Sequence, residues 1–95
     1  MKKLQKKKLI DSVINSGMYK HTSIKNDFLL FSTLVFKYGE TSVLMDYFKC
    51  SRSKVSKLRN GLQNYSKNDL EKLNELHKSY NYYINENKYI FDKVL

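Results

Sequence analysis

The sequence predicts an all-α fold, a compact bundle of about five helices followed by a C-terminal helical tail, on two observations. Apolar residues recur at spacings of three and four through most of the chain. Proline is absent, and the three glycines, Gly17, Gly39 and Gly61, each stand where a periodic segment ends, as helix C-caps do. A strand-rich chain of this size needs more turn residues. Ninety-five residues make one domain with a modest core, burying about 60–65% of the extended surface, so pairing with a second copy would help its stability. Residues 1–80 are assigned to that domain and 81–95 to the tail.

Each element has its own warrant. In 2–16 the apolar residues are Leu4, Leu9, Ile10, Val13 and Ile14, and Gly17 closes the segment. Five lysines in its first two turns repel one another and favour fraying. Thr22 or Ser23 can cap a second helix with Asp27 in its early turns, running to Tyr38. Phe28, Leu29, Phe31, Leu34, Val35 and Tyr38 give that helix a wide apolar surface, so it is expected to be central. Thr41 is read as the cap of a third helix over 42–49, with Val43, Leu44, Tyr47 and Phe48 inward. Ser51 is the cap of a fourth over 52–60, with Val55, Leu58 and Leu62 inward and Gly61 stopping it. Ser66 with Asp69 three residues later forms a capping-box start for a fifth, through Leu70, Leu73, Leu76, His77 and Tyr80.

Residues 81–95 have two readings. As helix, Leu73, Leu76, Tyr80, Tyr83, Asn87, Ile90 and Val94 alternate by three and four, a heptad seam with one polar position. As strands, 82–84 and 89–91 flank a hairpin loop at 85–87. The helix is preferred, and in either case the tail is the expected dimerisation element, through Tyr80, Tyr83, Ile90 and Val94. The tyrosines could also serve as core, as a protein-binding patch or as a stacking platform for single-stranded bases.

Charge is unevenly spread. Residues 1–63 carry 13 Lys and Arg against 4 Asp and Glu, whereas 64–95 carry 5 of each. The whole net charge of +9 therefore lies in the first two thirds, which points to an anionic partner there and another task for the neutral third. The N-terminal lysine cluster is compatible with a DNA-contacting arm, a solubilising end or a weak membrane-surface element. The last wants large apolar residues opposite the lysines, and that stretch has few.

Other classes are excluded by what the chain lacks. A single cysteine, Cys50, allows neither an internal disulfide nor a Cys-rich zinc site and fits a reducing cytoplasm. Cys50 reads as a small residue of the turn rather than a redox switch. There is no run of 18 apolar residues, and the apolar part of the N-terminal segment is too short and interrupted for a signal peptide. His21 and His77 have no partner at ligand spacing, so no metal or other cofactor is expected. Ser51, Ser53 and Ser56 have no adjacent histidine and no Gly-x-Ser-x-Gly frame, and there is no phosphate loop, so the chain is not expected to be an enzyme.

What remains is a pair of short helices joined by Lys49-Cys50-Ser51, a helix-turn-helix within 41–62. Its second helix is expected to bury Val55 and Leu58 and expose Arg52, Ser53, Ser56, Lys57 and Arg59. Arginine grips guanine bidentately, serine bonds several bases, and lysines neutralise phosphates. The stretch 42–76 resembles the Xre/Cro-like, lambda-repressor-like family of DNA-binding proteins. Leu44, Cys50, Ser51-Arg52-Ser53, Val55-Ser56, Asn60-Gly61, Ser66 and Leu70 are the residues that match, within a likeness covering about 26–77. Two departures are Met45, where the family often has a small residue, and Lys49, where it often has glycine; they call for a wider helix crossing at the first and for either a strained left-handed residue or a different turn at the second.

The resemblance implies a homodimer on a palindromic operator in double-stranded DNA, with Arg52, Ser53, Ser56 and Lys57 near bases. It places Thr41, Lys49, Lys54 and Asn60 near phosphates, and the exposed charge of Arg59 adds that residue to the phosphate set. Small regulators of this type are found in phages, plasmids and other mobile elements. The expectation is thus a cytoplasmic repressor. Its rivals are a protein-binding module on the same scaffold, such as an inhibitor of a host nucleic-acid enzyme, and a non-specific nucleic-acid binder.

Overall fold

The computed structural model describes residues 2–16 and 26–94, with side chains over 5–16 and 26–84. The described residues form five helices and no strand: α1 (Lys2–Asn15), α2 (Phe28–Tyr38), α3 (Thr41–Phe48), α4 (Arg52–Arg59) and α5 (Lys67–Val94). The predicted fold class is the observed one.

α2 begins later than expected. Asp27 is its N-cap, with extended backbone, and its Oδ1 accepts the Leu30 N–H at 2.9 Å. A carboxylate there also complements the positive end of the helix. Thr22, Ser23 and Gly17, read as cap candidates, lie outside the described residues. Phe31, Leu34, Val35 and Phe36 of α2 are buried, but Leu29 is 66% exposed and Tyr38 is also exposed. The apolar stripe is therefore narrower than the sequence suggested. At the end of α2, Gly39 is required by close approach rather than by its φ of −70°. A Cβ there would meet Val35 O at 2.5 Å and Leu9 Cδ2 at 3.0 Å.

α1 is a full member of the bundle. It packs across α2, α3 and α5, burying Leu9, Ile10, Val13 and Ile14. Two of its lysines meet acids, Lys6 with Glu75 of α5 at 3.1 Å and Lys7 with Asp11 at 3.2 Å, while Lys8 is exposed. Gln5 bonds Asp46 of α3.

α5 is one continuous helix to Val94, which decides residues 81–94 in favour of helix over hairpin. The reciprocal capping box is present. The Ser66 N–H donates to Asp69 Oδ2 at 3.0 Å, and the Asp69 N–H donates to Ser66 Oγ at 3.1 Å. Leu73, Leu76 and Tyr80 follow on its buried face. Tyr80 is 1% exposed and packs on Phe31 at 5.0 Å between ring centroids. It belongs to the core of its own chain, which corrects its assignment to a dimer surface. Tyr83 is half-buried against the same core, and the side chains of Ile90 and Val94 lie outside those described. Burial pushes the phenols of Tyr80 and Tyr47 up to about 12, with Glu75 adding to the effect on Tyr47. Tyr47 and Lys72 tie α3 to α5 with two bonds: the Tyr47 hydroxyl donates to Lys72 O, and Lys72 Nζ donates to Tyr47 O, each at 3.1 Å.

Candidate nucleic-acid interface

The unit from α3 to α4 is built by local rules. Glu40, not Thr41, stands at the N-cap position of α3 and makes no side-chain capping bond; Thr41 is the first helical residue. At the other end Lys49 closes α3 in the left-handed region, at φ 53° and ψ 53°. That conformation in a non-glycine residue costs about 1–2 kcal/mol. It reverses the chain, and the Cys50 N–H then reaches Met45 O at 3.1 Å. Met45 and Cys50 are half-buried against the core, and burial raises the Cys50 thiol above its ordinary value.

Ser51 caps α4, its Oγ accepting the Lys54 N–H at 3.2 Å. Val55 and Leu58 anchor the inner face. The exit is a Schellman motif around left-handed Gly61: its N–H reaches Leu58 O at 3.3 Å, and the Leu62 N–H reaches Lys57 O at 2.8 Å. Leu62, expected to point inward, is 76% exposed, because the Schellman turn carries the chain away from the core.

The proposed base-reading set is together on the outer side of α4. Arg52, Ser53, Ser56 and Lys57 are all exposed. Arg52, Ser53 and Ser56 line a shallow hollow whose other walls are Thr41 and Arg59. Among the described residues no carboxylate lies within ion-pair distance of Arg52, Lys57 or Arg59.

The proposed phosphate set is divided. Lys49 is exposed, with only a long 3.9 Å approach to Asp46. Asn60 is exposed, but its Nδ2 donates back to Ser56 O at 2.9 Å. Lys54 turns towards α5, where its ammonium lies 3.1 Å from Asp69 Oδ2, and Asp69 is 1% exposed. Burial alone would raise the Asp69 carboxyl. The Ser66 N–H, the Lys54 ammonium and the Ser66 hydroxyl outweigh it and hold the carboxyl below its ordinary value.

Arg59 makes three bonds within the protein. Its Nε donates to Phe36 O at 2.7 Å, Nη2 to Gly39 O at 3.1 Å and Nη1 to Thr41 Oγ1 at 3.1 Å. Thr41 and Arg59 are thus bonded to each other. Sequence reasoning missed this clasp because two of its three acceptors are backbone carbonyls at the end of α2, which leave no mark in residue identity. The acid partner of Lys54 was visible, but only as half of a capping box.

Among the described residues no group of three or more His, Cys, Asp and Glu is placed to hold a metal ion, and no helix is long and apolar enough to cross a membrane. Comparison with known proteins found no matching family model, no similar curated protein and no similar solved structure.

Proposed function

We propose that this chain is a sequence-specific regulator of transcription that binds double-stranded DNA, acting as a homodimeric repressor with α4 in the major groove. One observation carries the reading. α4 is held to the core by Val55 and Leu58 and stitched at both ends, yet its outer face presents Arg52, Ser53, Ser56 and Lys57, and among the described residues no acid neutralises the two cations. A helix that displays arginine and short hydroxyls from its first turn has the groups that base edges accept. The resemblance of residues 42–76 to Xre/Cro-like proteins supports the same reading.

The dimer is proposed to form through α5 beyond Tyr80, where Tyr82 is 69% exposed. Tyr82 is 13 residues along α5 from Asp69, the partner of Lys54 of α4. At 1.5 Å per residue that is about 20 Å along the axis. Two copies meeting end to end there would set the Asp69 positions of their α5 helices at most about 40 Å apart along the axes, a length of the same order as the roughly 34–36 Å between successive major-groove faces.

Selection from a pool of random duplexes, followed by sequencing, tests the proposal. A two-fold symmetric motif should emerge, bound about 10³-fold or more tighter than random duplex. Equal affinity for all sequences with the same steep salt dependence would instead identify a non-specific binder.

A further inference from the structure

The clasp made by Arg59 joins three elements at one point. Arg59 is the last residue of α4; Phe36 and Gly39 supply carbonyls from the C-terminal end of α2; Thr41 opens α3. The carbonyls at a helix C-terminus carry negative partial charge and lack helical donors, so a guanidinium is a well-matched cap for them. The planar fork of arginine can meet three acceptors in different directions at once, which an ammonium on a flexible stem cannot do with the same geometry. Gly39, with no room for a Cβ, keeps its carbonyl within reach of that fork.

The clasp also constrains α4 where the core does not. Val55 and Leu58 fix how deeply α4 is seated. They leave rotation about the line joining them to other contacts. At the N-terminal end Lys54 holds Asp69, and at the C-terminal end Arg59 holds the corner between α2 and α3. The two ends of α4 are therefore tied to different parts of the bundle, and their balance sets the angle at which Arg52, Ser53 and Ser56 are presented.

We propose that Arg59 is a positioning residue for DNA recognition: by clasping Phe36 O, Gly39 O and Thr41 Oγ1 it fixes the docking angle of α4, and it does not contact phosphate. This rests on the reading of α4 as the DNA-contacting helix. It assigns Arg59 and Thr41 to geometry instead of to the phosphate set.

The test compares wild type with Arg59→Lys, Arg59→Ala and Thr41→Val. Affinity is measured across a salt series for the duplex enriched by selection and for random duplex. Circular dichroism verifies helix content at the assay temperature. A positioning role predicts that Arg59→Lys fails nearly as badly as Arg59→Ala. Both should lose about tenfold in the ratio of selected to random affinity, equivalent to about 1.4 kcal/mol. The salt slope on random duplex should stay at the wild-type value. Thr41→Val, which removes one acceptor and keeps the arginine, should lose selectivity in the same direction by a smaller factor. It and Arg59→Lys decide the matter if Arg59→Ala loses its helices. The proposal is overturned if Arg59→Lys behaves as wild type while Arg59→Ala lowers the salt slope by about 0.9, the signature of one lost phosphate contact. A wild-type chain that binds no duplex overturns the reading of α4 itself.

Discussion

Two basic helices, α1 and α4, differ in what their charges face. α1 carries the denser lysine cluster, yet Lys6 and Lys7 are each matched by an acid, on α5 and on α1 itself. α4 has fewer cations, and Arg52 and Lys57 have no such match among the described residues. α1 also buries Leu9 and Val13 completely, so it works as part of the core. The lesson is that lysine density along a sequence does not locate a binding face. On the proposed reading the face is marked instead by Arg52 and Lys57, which no described acid meets and which α4 presents beside the hydroxyls of Ser53 and Ser56.

The largest expected effect separates the two helices by stability. Leu9→Ala in α1 should cost about 2–5 kcal/mol in chemical denaturation, because it opens a cavity where α1 meets the Gly39 corner. A cost below 1 kcal/mol would return α1 to the status of an appended arm. Arg52→Ala in α4 should leave folding within about 0.5 kcal/mol. It should cost about 1–3 kcal/mol of binding to the selected duplex and relax preference at one base position. An unchanged preference would remove Arg52 from base reading.

The tie between α4 and α5 gives a pH-dependent contrast. The Asp69 carboxyl is held below its ordinary value in the folded chain, so as pH falls the unfolded chain takes up the proton first. The stabilisation is complete above about pH 4, near the unfolded carboxyl value, and is lost as pH falls through the lower folded value. Asp69→Asn should cost about 1–2 kcal/mol at neutral pH, through loss of a charge-assisted bond. It should also flatten the acid limb of the stability profile. An unchanged acid limb would show that other carboxylates carry it.

The smallest effect concerns the turn. Lys49→Gly relieves the left-handed strain but adds chain entropy to the unfolded state, so a net gain of about 0.5–1 kcal/mol is expected in thermal unfolding. If Lys49 also neutralises a phosphate, the same variant should lower the salt slope of duplex binding by about 0.9.

Much of the fold was legible because its punctuation is local. Ser51, the Ser66–Asp69 box and Gly61 act within a few residues of themselves, so spacing alone reveals them, whereas the left-handed Lys49 was suggested only by the family resemblance. Misreadings arose wherever a neighbouring element decides. Leu29 and Leu62 are apolar residues that none of the described helices covers, and Tyr80 completes a seam that the chain's own Phe31 already fills. Lys54 and Arg59 lie among the other cations of α4 in the sequence but are engaged by α5 and by the end of α2. Of the proposed interface, the outer residues could be named from spacing. The division between groups left for DNA and groups spent on geometry could not, because it depends on acceptors 15 to 23 residues away.

The most direct test of the account sets the two basic helices against each other in one binding assay. Arg52→Ala/Lys57→Ala and Lys6→Gln/Lys7→Gln are compared with wild type on the selected and the random duplex over a salt series. The account predicts that the α4 pair loses most of its selectivity and lowers the salt slope, while the α1 pair retains the wild-type selectivity ratio. Equal losses from the two pairs, or a greater loss from α1, would contradict it.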